Sequence, residues 1–414
     1  MKIDAKSPIL LILSVILGSL AAATHAASVD TWGNNGDGEL GDNSETARTS
    51  PVAAAGLSTG ATEVAAGSDD SFAVANGAAY AWGDNGNGQL GNGGNAESEV
   101  PIVVPGLSSG VTAVAGGAFD GFAVKNGALY SWGYNITGQL GDGDEVQTSA
   151  PGLVTGLGTG VTAVAAGLLD SAAIQNGALY AWGSNNTGQV GIGTVSTTVL
   201  TPAAVTGMSS GVTAVAIGNR DIMAIQNGGL YAWGYNSFGE LGDGTYYLEE
   251  SPEAISLSTG VTSIAAGSFF NLAVQNGHVF SWGHNPEGEL GNGTYNDVIT
   301  PTEVDPTDLL NIVSVAAGQK SSYALCADGS LWVWGDNTDG ELGLGTATTD
   351  YLTPQHLLPP AGYLYTGIDA DPGGLQAVAM LVSVPEGSTT AMLLLGALVI
   401  FVSRRKYFLA LAAR

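Results

Sequence analysis

The chain has 414 residues, of which 45% are hydrophobic and 11% charged, so it has enough apolar material for a large core and is not disordered. Its 63 glycines are not a low-complexity excess, because most of them recur in register. Between residues 27 and 384, four basic residues face 35 acidic ones, a formal charge of −31. Such a surface repels phosphate backbones, so we expect no binding to DNA or RNA; it favours solubility and can attract cations or basic partners.

Residues 1–26 predict a signal peptide. Lys2 and Lys6 form a charged start, an apolar stretch runs from Pro8 to Ala23, and Thr24-His25-Ala26 ends in a small residue. We expect cleavage after Ala26. The alternative is a retained N-terminal anchor, which the short apolar run disfavours because a bilayer span needs more residues.

Residues 27–383 are built from a repeat of about 50 residues. One marker is Trp-Gly-x-Asn-x-x-Gly-Glu/Gln-Leu-Gly, with Val190 once in place of leucine. Its seven copies begin at Trp32, Trp82, Trp132, Trp182, Trp233, Trp282 and Trp334. A second marker is a proline that opens a short apolar run, at Pro51, Pro101, Pro151, Pro202, Pro252, Pro301 and Pro354. A third is Val-Thr-x-Val-Ala-x-Gly, as in Val111–Gly117.

Each period predicts four short antiparallel strands. The third marker is the first strand, a segment like Gly121–Val124 is the second, and a segment like Ala128–Trp132 is the third. The turn Lys125-Asn126-Gly127 contains the Asn-Gly pair that tight hairpins favour. The fourth strand is predicted to start at the proline, because a missing N–H is tolerated at a sheet edge. Four such strands make one blade of a β-propeller.

The last period indicates how the ring closes. Ile368–Val378 has the same length as Val64–Val74, and Ala377-Val378 align with Ala73-Val74, but the repeat then ends before a Trp-Gly motif. Ser28–Gly33 supplies the missing segment, since it aligns with Ala78–Gly83. We therefore predict an all-β, seven-bladed propeller of four-stranded blades, in which Ser28–Gly33 and Ile368–Leu381 share one blade and leave no free edge. An open solenoid would need capping repeats instead.

The repeated motif and its spacing resemble the repeat of the regulator of chromosome condensation over residues 28–383. That resemblance implies the same seven-bladed propeller, whereas WD-type repeats are shorter and kelch repeats carry a diglycine. The chain departs from the family three residues past the glycine of the first strand, where relatives usually have histidine. It has Asp70, Asp120, Asp170, Asp221, Phe270 and Ser321 there. Whatever that histidine does in relatives is absent or altered here.

The residue just before this position varies between copies, with five residue types in six copies. These ring residues are Asp69, Phe119, Leu169, Arg220, Phe269 and Lys320. Equivalent turns of a propeller lie on one face, so changeable side chains on a constant frame predict a binding surface. Two phenylalanines, a leucine and two of the scarce cations suit contact with a protein. The alternative is that these turns vary without any function.

The motif residues themselves are interpreted as scaffold. A tryptophan that closes an apolar strand in every blade is explained by packing. The motif leucine is expected between blades. The motif asparagine and glycines are expected at turns of positive φ or at close backbone approaches.

We expect no cofactor, no metal site and no catalytic site. The acidic loops Asn34–Glu39 and Asp336–Glu341 place several oxygens on a glycine turn, but they match no calcium-loop pattern, so calcium binding stays an alternative. The few histidines have no metal-ligand spacing, and no Ser/His/Asp grouping is evident. A lone cysteine, Cys326, is predicted to be a small buried hydrophobic residue.

Residues 384–414 predict a second export signal. Val384-Pro385-Glu386 precede a short transmembrane segment at 391–402, and Arg404-Arg405-Lys406 form a positive stop on the cytoplasmic side. Together they resemble the PEP-CTERM sorting signal of Gram-negative bacteria that make exopolysaccharide, which implies processing by a membrane exosortase. Gly387 and the extension Tyr407–Arg414 depart from that pattern. An ordinary C-terminal tail anchor is the alternative.

These features predict an exported, monomeric propeller that is not an enzyme and binds an extracellular protein at the cell surface or outside the cell. It would touch the membrane only through its C-terminal segment before processing. The resembled family's founding activity, nucleotide exchange on a chromatin-bound nuclear GTPase, does not suit an exported acidic chain. Secreted bacterial propellers of this repeat type that inhibit β-lactamases by protein contact are a closer analogy. The alternatives are a structural component of an exopolysaccharide or biofilm matrix, and an enzyme whose site is built across blades.

Overall fold

The computed structural model describes residues 27–304, 309–347 and 349–384. Within these ranges, 28 strands form seven four-stranded antiparallel sheets, the blades of a propeller. The all-β, seven-bladed prediction is therefore confirmed. The predicted signal peptide at 1–26 and the apolar segment at 391–402 lie outside the described residues. A search of the described ranges found no helix with the length and apolar character that crossing a membrane requires.

The strands occupy four positions in each blade. The innermost strands, around the central channel, are β3 (Ala61–Ala66), β7 (Val111–Gly116), β11 (Val161–Ala166), β15 (Val212–Ile217), β19 (Val261–Ala266), β23 (Ile312–Ala317) and β27 (Tyr363–Asp369). The second strands are β4 (Asp70–Ala75), β8 (Asp120–Lys125), β12 (Asp170–Gln175), β16 (Asp221–Gln226), β20 (Phe270–Gln275), β24 (Ser321–Cys326) and β28 (Gln376–Ser383).

The third strands are β1 (Ser28–Gly33), β5 (Ala78–Gly83), β9 (Ala128–Gly133), β13 (Ala178–Ser184), β17 (Gly229–Gly234), β21 (His278–Gly283) and β25 (Leu331–Gly335). The outermost strands are β2 (Arg48–Ala53), β6 (Ser98–Val103), β10 (Thr148–Leu153), β14 (Thr198–Ala204), β18 (Glu249–Ala254), β22 (Val298–Glu303) and β26 (Tyr351–Leu357). We number as blades 1 to 6 the six sheets made of consecutive strands, from β3–β6 to β23–β26.

The seventh sheet, the closing blade, takes strands from both ends of the propeller. Its order is β2-β1-β28-β27, and β1 pairs with β28 from Ser28 opposite Leu381 to Gly33 opposite Gln376. This pairing confirms the predicted shared blade. Because β1 and β28 are adjacent central strands of that sheet, the ring closes through a full ladder of backbone hydrogen bonds.

The predicted alignment inside the closing blade is wrong by two residues. Trp32 lies opposite Ala377, just as Trp82 lies opposite Ser71 in blade 1, so Ala377 is the equivalent of Ser71 and not of Ala73. The turn between β27 and β28 is two residues longer than the corresponding turn of blade 1. Gln376 consequently stands where blade 1 has Asp70, because each lies opposite the motif glycine of its blade.

The core lies between neighbouring blades. All seven motif tryptophans and the motif leucines are completely buried. Each indole Nε1 donates to the backbone carbonyl of the motif Glu or Gln of the preceding blade, as Trp132 does to Gln89 at 2.6 Å. Leu90 packs in the same cluster as Trp132. The scaffold interpretation of these residues is confirmed.

The motif asparagine supports its loop in a different way from the one expected. Positive φ occurs at motif glycines such as Gly33, at 105°, but not at Asn35. The Asn35 side chain instead braces the loop: its Oδ1 accepts from the Leu40 N–H at 2.9 Å, and its Nδ2 donates to the Ser44 carbonyl at 2.8 Å. The amide therefore replaces backbone partners inside a buried turn.

The outermost strands begin before the marker proline, not at it. Pro101, for example, is the fourth residue of β6. The pairing of β6 with β5 shifts register between Ala81 and Gly83, beside this proline. A bulge on an edge strand tolerates a residue without an N–H, so the edge position was predicted correctly and the strand start was not.

Cys326 is half-buried at the end of β24, so the prediction of a buried cysteine is wrong. Its Sγ lies 3.5 Å from the Leu310 carbonyl oxygen, to which the thiol donates. Partial burial is the main cause that raises the pKa of this thiol.

Candidate binding face

The ring residues predicted from the sequence share one backbone contact. In each blade, the residue after the motif Trp-Gly donates its N–H to the carbonyl of the ring residue, for example Asp84 to Asp69 at 2.8 Å and Tyr134 to Phe119 at 2.9 Å. The six ring residues therefore occupy equivalent turns at one end of the propeller. None is completely buried, and Arg220 is exposed.

A seventh ring residue, Leu375, was missed by the sequence alignment. Its carbonyl accepts the N–H of Asn34 at 3.0 Å, which is the same contact in the closing blade. Leu375 is half-buried. The two extra residues in its turn shifted the alignment and concealed it.

Two further sets of side chains at this end were also missed. They are two of the three variable positions inside the otherwise constant motif Trp-Gly-x-Asn-x-x-Gly, the first and the last, and this variability is the signal that could have found them. The first set is Asn34, Asp84, Tyr134, Ser184, Tyr235, His284 and Asp336. The second set is Asp37, Asn87, Thr137, Thr187, Phe238, Glu287 and Asp339. We call the seven ring residues and these two sets together the turn face.

The second set reaches from one blade to the ring residue of the next. Thr137 of blade 2 donates its hydroxyl to the Leu169 carbonyl of blade 3 at 2.9 Å. The rings of Phe238 and Phe269 lie 5.1 Å apart across the seam between blades 4 and 5. Each ring residue is therefore framed by two loops, one from its own blade and one from its neighbour.

An aromatic cluster covers part of the turn face in blades 4 and 5. It consists of Tyr235, Phe238, Phe269 and His284, and we call it the aromatic sector. Phe238 lies 4.2 Å from the His284 ring, and Tyr235 lies 6.3 Å from Phe269. His284 Nδ1 is 3.1 Å from Asp297 Oδ1, which orients the imidazole.

A cleft of about 340 Å³ opens beside the aromatic sector, between Phe238 and Phe269 on one side and Lys320 on the other. The Lys320 ammonium lies 2.7 Å from Glu287 Oε1, and this hydrogen bond is the main cause that raises the lysine pKa. Glu289 also lines the cleft, and burial raises its pKa to about 8. The cleft thus combines apolar walls with an ion pair and a carboxyl group that is neutral at pH 7.

The opposite part of the turn face is acidic. Asp37, Asp69 and Asp84 lie together at the seam between the closing blade and blade 1, and we call them the acidic sector. Burial first, and then the neighbouring charges of Asp37 and Asp84, raise the pKa of Asp69. Clustered carboxylates of this kind repel anions and attract cations.

The structure does not gather all predicted ring residues into one patch. Phe269 and Lys320 line the same cleft. Phe119 stands three blades from Phe269 and packs on Tyr134, with ring centroids 5.8 Å apart. At the propeller axis, a depression of about 250 Å³ is lined by the residues one step inward from the ring, including Ser68, Ala118, Leu168, Asn219, Ser268 and Gln319.

Within the described ranges, no group of three or more His, Cys, Asp and Glu side chains is arranged to hold a metal ion. Of the predicted sorting motif, Val384 is the one described member, and its N–H donates to the Gly362 carbonyl at 2.7 Å. The other members lie outside the described residues: Pro385, Glu386, Arg404, Arg405 and Lys406.

Comparison of the sequence with known families gives two matches. The profile of the RCC1-like domain matches residues 101–371, and that of the regulator of chromosome condensation (RCC1) repeat matches residues 76–124. The E3 ubiquitin-protein ligase HERC2 of Homo sapiens and that of Mus musculus are each 30% identical over 82 residues. That segment is 20% of this chain and 2% of each ligase, so the likeness is confined to a small part of those proteins.

Several solved structures share the fold. Prp20p from Saccharomyces cerevisiae superposes with a TM-score of 0.75 at 22% identity, over 88% of this chain and 93% of that one. Human WBSCR16 gives 0.75 at 23% identity, over 86% of this chain and 99% of its own. Yeast RCC1 (Prp20) bound to Kap60 gives 0.75 at 23% identity, over 88% and 90%. At these identities the likeness concerns the fold alone.

Proposed function

Because the chain belongs to the family of RCC1-like domains, we propose that it is a protein–protein interaction module that binds its partner with the turn face. The observation that supports this proposal most strongly is that the buried interior is constant, whereas the side chains at one end vary from blade to blade. Binding residues concentrate on loops held by a rigid scaffold. Prp20p is described with binding properties to Gsp1p and histones, and yeast RCC1 with bound Kap60, so this fold has precedents for protein binding.

The centre of the contact is the aromatic sector with its cleft. Aromatic side chains in partly enclosed pockets contribute most of the binding energy of many interfaces. Phe238 and Phe269 supply such a wall, and the Lys320–Glu287 pair supplies a polar edge. The acidic sector would steer the partner's approach more than hold it, since charges at the rim of an interface act mainly on association rates.

Affinity capture of partner proteins from the native culture tests this proposal. The immobilised full-length protein is compared with Phe238→Ala/Phe269→Ala and with the control Leu310→Ala/Leu358→Ala, which removes two exposed leucines at the opposite end of the propeller. We expect mass spectrometry to identify a protein that the wild type and the control retain and that the phenylalanine variant loses. Equal retention by all three would rule out the aromatic sector as the contact.

We further propose that the module acts outside the cell, after removal of residues 1–26 and processing of the C-terminal segment by an exosortase. The support lies in the two end sequences, which carry the signal-peptide and sorting-signal patterns. Fractionation of the native cells with terminal peptide analysis tests it. We expect a mature chain that begins at Ala27 in the envelope or the medium, and a full-length chain in the cytoplasm would contradict export.

We propose a binding role and no catalysis. A structural role in an exopolysaccharide matrix is the second candidate, favoured by the resemblance of residues 384–414 to the sorting signal of exopolysaccharide producers. Glycan-array binding separates the two. Glycan binding that persists in Phe238→Ala/Phe269→Ala, without any captured protein, would favour the matrix role.

A further inference from the structure

One position in each blade lies at the seam with the next blade. It is the first residue of the second strand, and its seven members are Asp70, Asp120, Asp170, Asp221, Phe270, Ser321 and Gln376. All seven are at most 2% exposed. Four carboxyl groups therefore lie inside the ring, where a charge costs far more than on the surface.

Gln376 shows what a polar side chain does at this position. Its Nε2 donates to the backbone carbonyl of Gly67, the glycine directly after the first strand of the following blade, at 2.7 Å. The residue is neutral, and its amide N–H completes the hydrogen bonding of a buried carbonyl oxygen. A donor at this position thus links two blades.

The aspartates face the corresponding carbonyl oxygens. A Cβ added to Gly67 would collide with both Asp70 Oδ1 and the carbonyl oxygen of Gly117, so these two oxygens flank the same narrow space. Glycine at these positions leaves room for the carboxyl group. The same arrangement recurs in three more blades, with Asp120 and the Gly167 carbonyl, Asp170 and the Gly218 carbonyl, and Asp221 and the Gly267 carbonyl.

Most of these carboxyl oxygens have no donor within the described residues. Both oxygens of Asp70, both of Asp170 and Oδ1 of Asp120 are buried without a hydrogen-bond partner. An ionised carboxylate would be repelled by the carbonyl oxygen beside it, because that oxygen carries a negative partial charge. A protonated carboxyl group has one O–H donor to offer to that carbonyl.

The surrounding charges favour the protonated form. The groups that face Asp70 are Asp371, Asp120, Asp69 and Asp84, all carboxyls, and burial is the largest cause that raises its pKa. Those that face Asp120 are Asp371 and Asp170.

The other two aspartates also have neighbours that favour the charged form. Burial is the largest influence on Asp170 and brings its pKa to about 8, although the nearby Leu169 backbone, the charge of Arg220 and the backbone of Asp170 itself lower it. Asp221 faces Glu240 and Asp170, and its Oδ2 accepts from Asn271 Nδ2 at 2.8 Å, but burial again raises its pKa.

We propose that these four aspartates are protonated in the folded protein at neutral pH, and that each carboxyl O–H donates to the glycine carbonyl of the following blade, as Gln376 does. The carboxyls then act as hydrogen-bonded links between consecutive blades. The ring is held by uncharged donors along one continuous arc, from the closing blade through blades 1 to 4. Phe270 of blade 5 has no such donor, so the arc ends there.

The proposal has a defined pH dependence. An aspartate whose pKa is higher in the folded state than in the unfolded chain binds its proton more tightly when folded. Stability is then greatest below the unfolded pKa near 4, and it falls as the pH rises through the folded value. Each such group changes the folding equilibrium by up to about tenfold per pH unit in that window.

Urea unfolding of the full-length protein from pH 4 to pH 8.5 tests the links. Asparagine keeps the shape and has an N–H donor at every pH. We expect Asp70→Asn and Asp170→Asn to have nearly the wild-type stability at pH 4. At pH 8, each substitution should raise the equilibrium constant for folding at least tenfold above that of the wild type. Ser321→Ala should lower stability equally at all pH values, and exposed Asp144→Asn should change nothing. Asparagine variants that lose stability more at pH 8 than at pH 4 would show that the carboxylates are ionised.

A second measurement uses the wild type, so it tests the proposal even when an asparagine variant does not fold. Infrared difference spectra of the wild type at pH 7 should contain the carbonyl stretch of buried protonated carboxylic acids. That band should decrease in each asparagine variant that folds, and its absence from the wild type at pH 7 would overturn the proposal.

Discussion

The interior of the ring and the turn face are built from the same repeats under opposite constraints. At the seams every blade contributes the same tryptophan, buried and bonded to its neighbour in the same way, as Trp182 is to Gln139. On the turn face, the equivalent residue varies from blade to blade, from the acid Asp69 to the aromatic Phe269. The contrast teaches that, in a closed ring, different residues determine stability and binding. A substitution at a seam disturbs the packing of two blades, whereas a substitution on the turn face alters one surface contact.

The largest effect is expected from Trp182→Ala. It removes a fully buried indole and one of the two donors to the Gln139 carbonyl, the indole N–H at 2.7 Å, while the Ser171 hydroxyl at 2.9 Å remains. We expect a loss of about 3–5 kcal/mol in the free energy of unfolding, measured with urea. The control is Trp332→Ala, because this eighth tryptophan is only half-buried and stacks on His356 at 4.7 Å; its loss should be about 1 kcal/mol. Equal losses of unfolding free energy in the two variants would show that the tryptophans at the seams are no more important for stability than one near the surface.

Next comes Gly33→Ala in the closing blade. Gly33 has φ of 105°, and an added Cβ would collide with the Leu375 carbonyl oxygen and the Gln376 backbone. We expect a loss of about 2–4 kcal/mol, since strain and a backbone clash act together. Gly56→Ala is the matched control, with φ of 79° and no atom within 4 Å of the added carbon. It should lose only about 1 kcal/mol, and thermal unfolding of both variants gives the comparison.

A smaller and pH-dependent effect is expected from Glu240→Gln. The motif position holds Gln89, Gln139 and Gln189 in other blades, so the amide fits. Burial raises the pKa of Glu240 to about 7, so its ionisation lowers stability as the pH rises from about 4.5 past 7. The glutamine variant should match the wild type at pH 4 and exceed it by about 1–3 kcal/mol at pH 8.5 in urea titrations. A glutamine variant that is less stable than the wild type at pH 8.5 would contradict a raised pKa of Glu240.

The smallest effects on stability are expected on the turn face. Asp69→Asn and Phe269→Ala should each change the free energy of unfolding by about 1 kcal/mol or less, because both side chains are partly exposed. Their effects on partner capture should differ: Phe269→Ala loses the partner, whereas Asp69→Asn changes mainly its association rate and salt dependence. Equal loss of capture would show that the acidic sector belongs to the contact.

The repeats made the fold readable from the sequence, including the shared blade, because seven copies of one motif leave little freedom in strand order. Leu375 and Gln376 were misplaced because the closing turn is two residues longer, and a turn length is not encoded in strand patterns. Cys326 lies at a strand end, where alternation no longer indicates burial.

The candidate face was predicted only in part. The ring residues were found because they vary beside a constant glycine. Phe238 and Glu287 were overlooked because they sit inside a motif that was read as pure scaffold. Their contacts cross from one blade to the next, and such contacts between separate repeats cannot be read from a single repeat.

The closing blade also orders the assembly of the molecule in time. The hydrogen bond from the Ser28 hydroxyl to the Leu381 carbonyl joins residues 353 positions apart, whereas blades 1 to 6 each form from one continuous segment of chain. Because long-range pairings form after local ones, β1 has only β2 as a strand partner until β28 is available. The β1–β2 loop can pack on blade 1 before then, because the Glu39 carbonyl accepts from the Trp82 indole N–H at 2.8 Å. The first strand of the propeller to be synthesised therefore completes its pairing only after the last strand has been made.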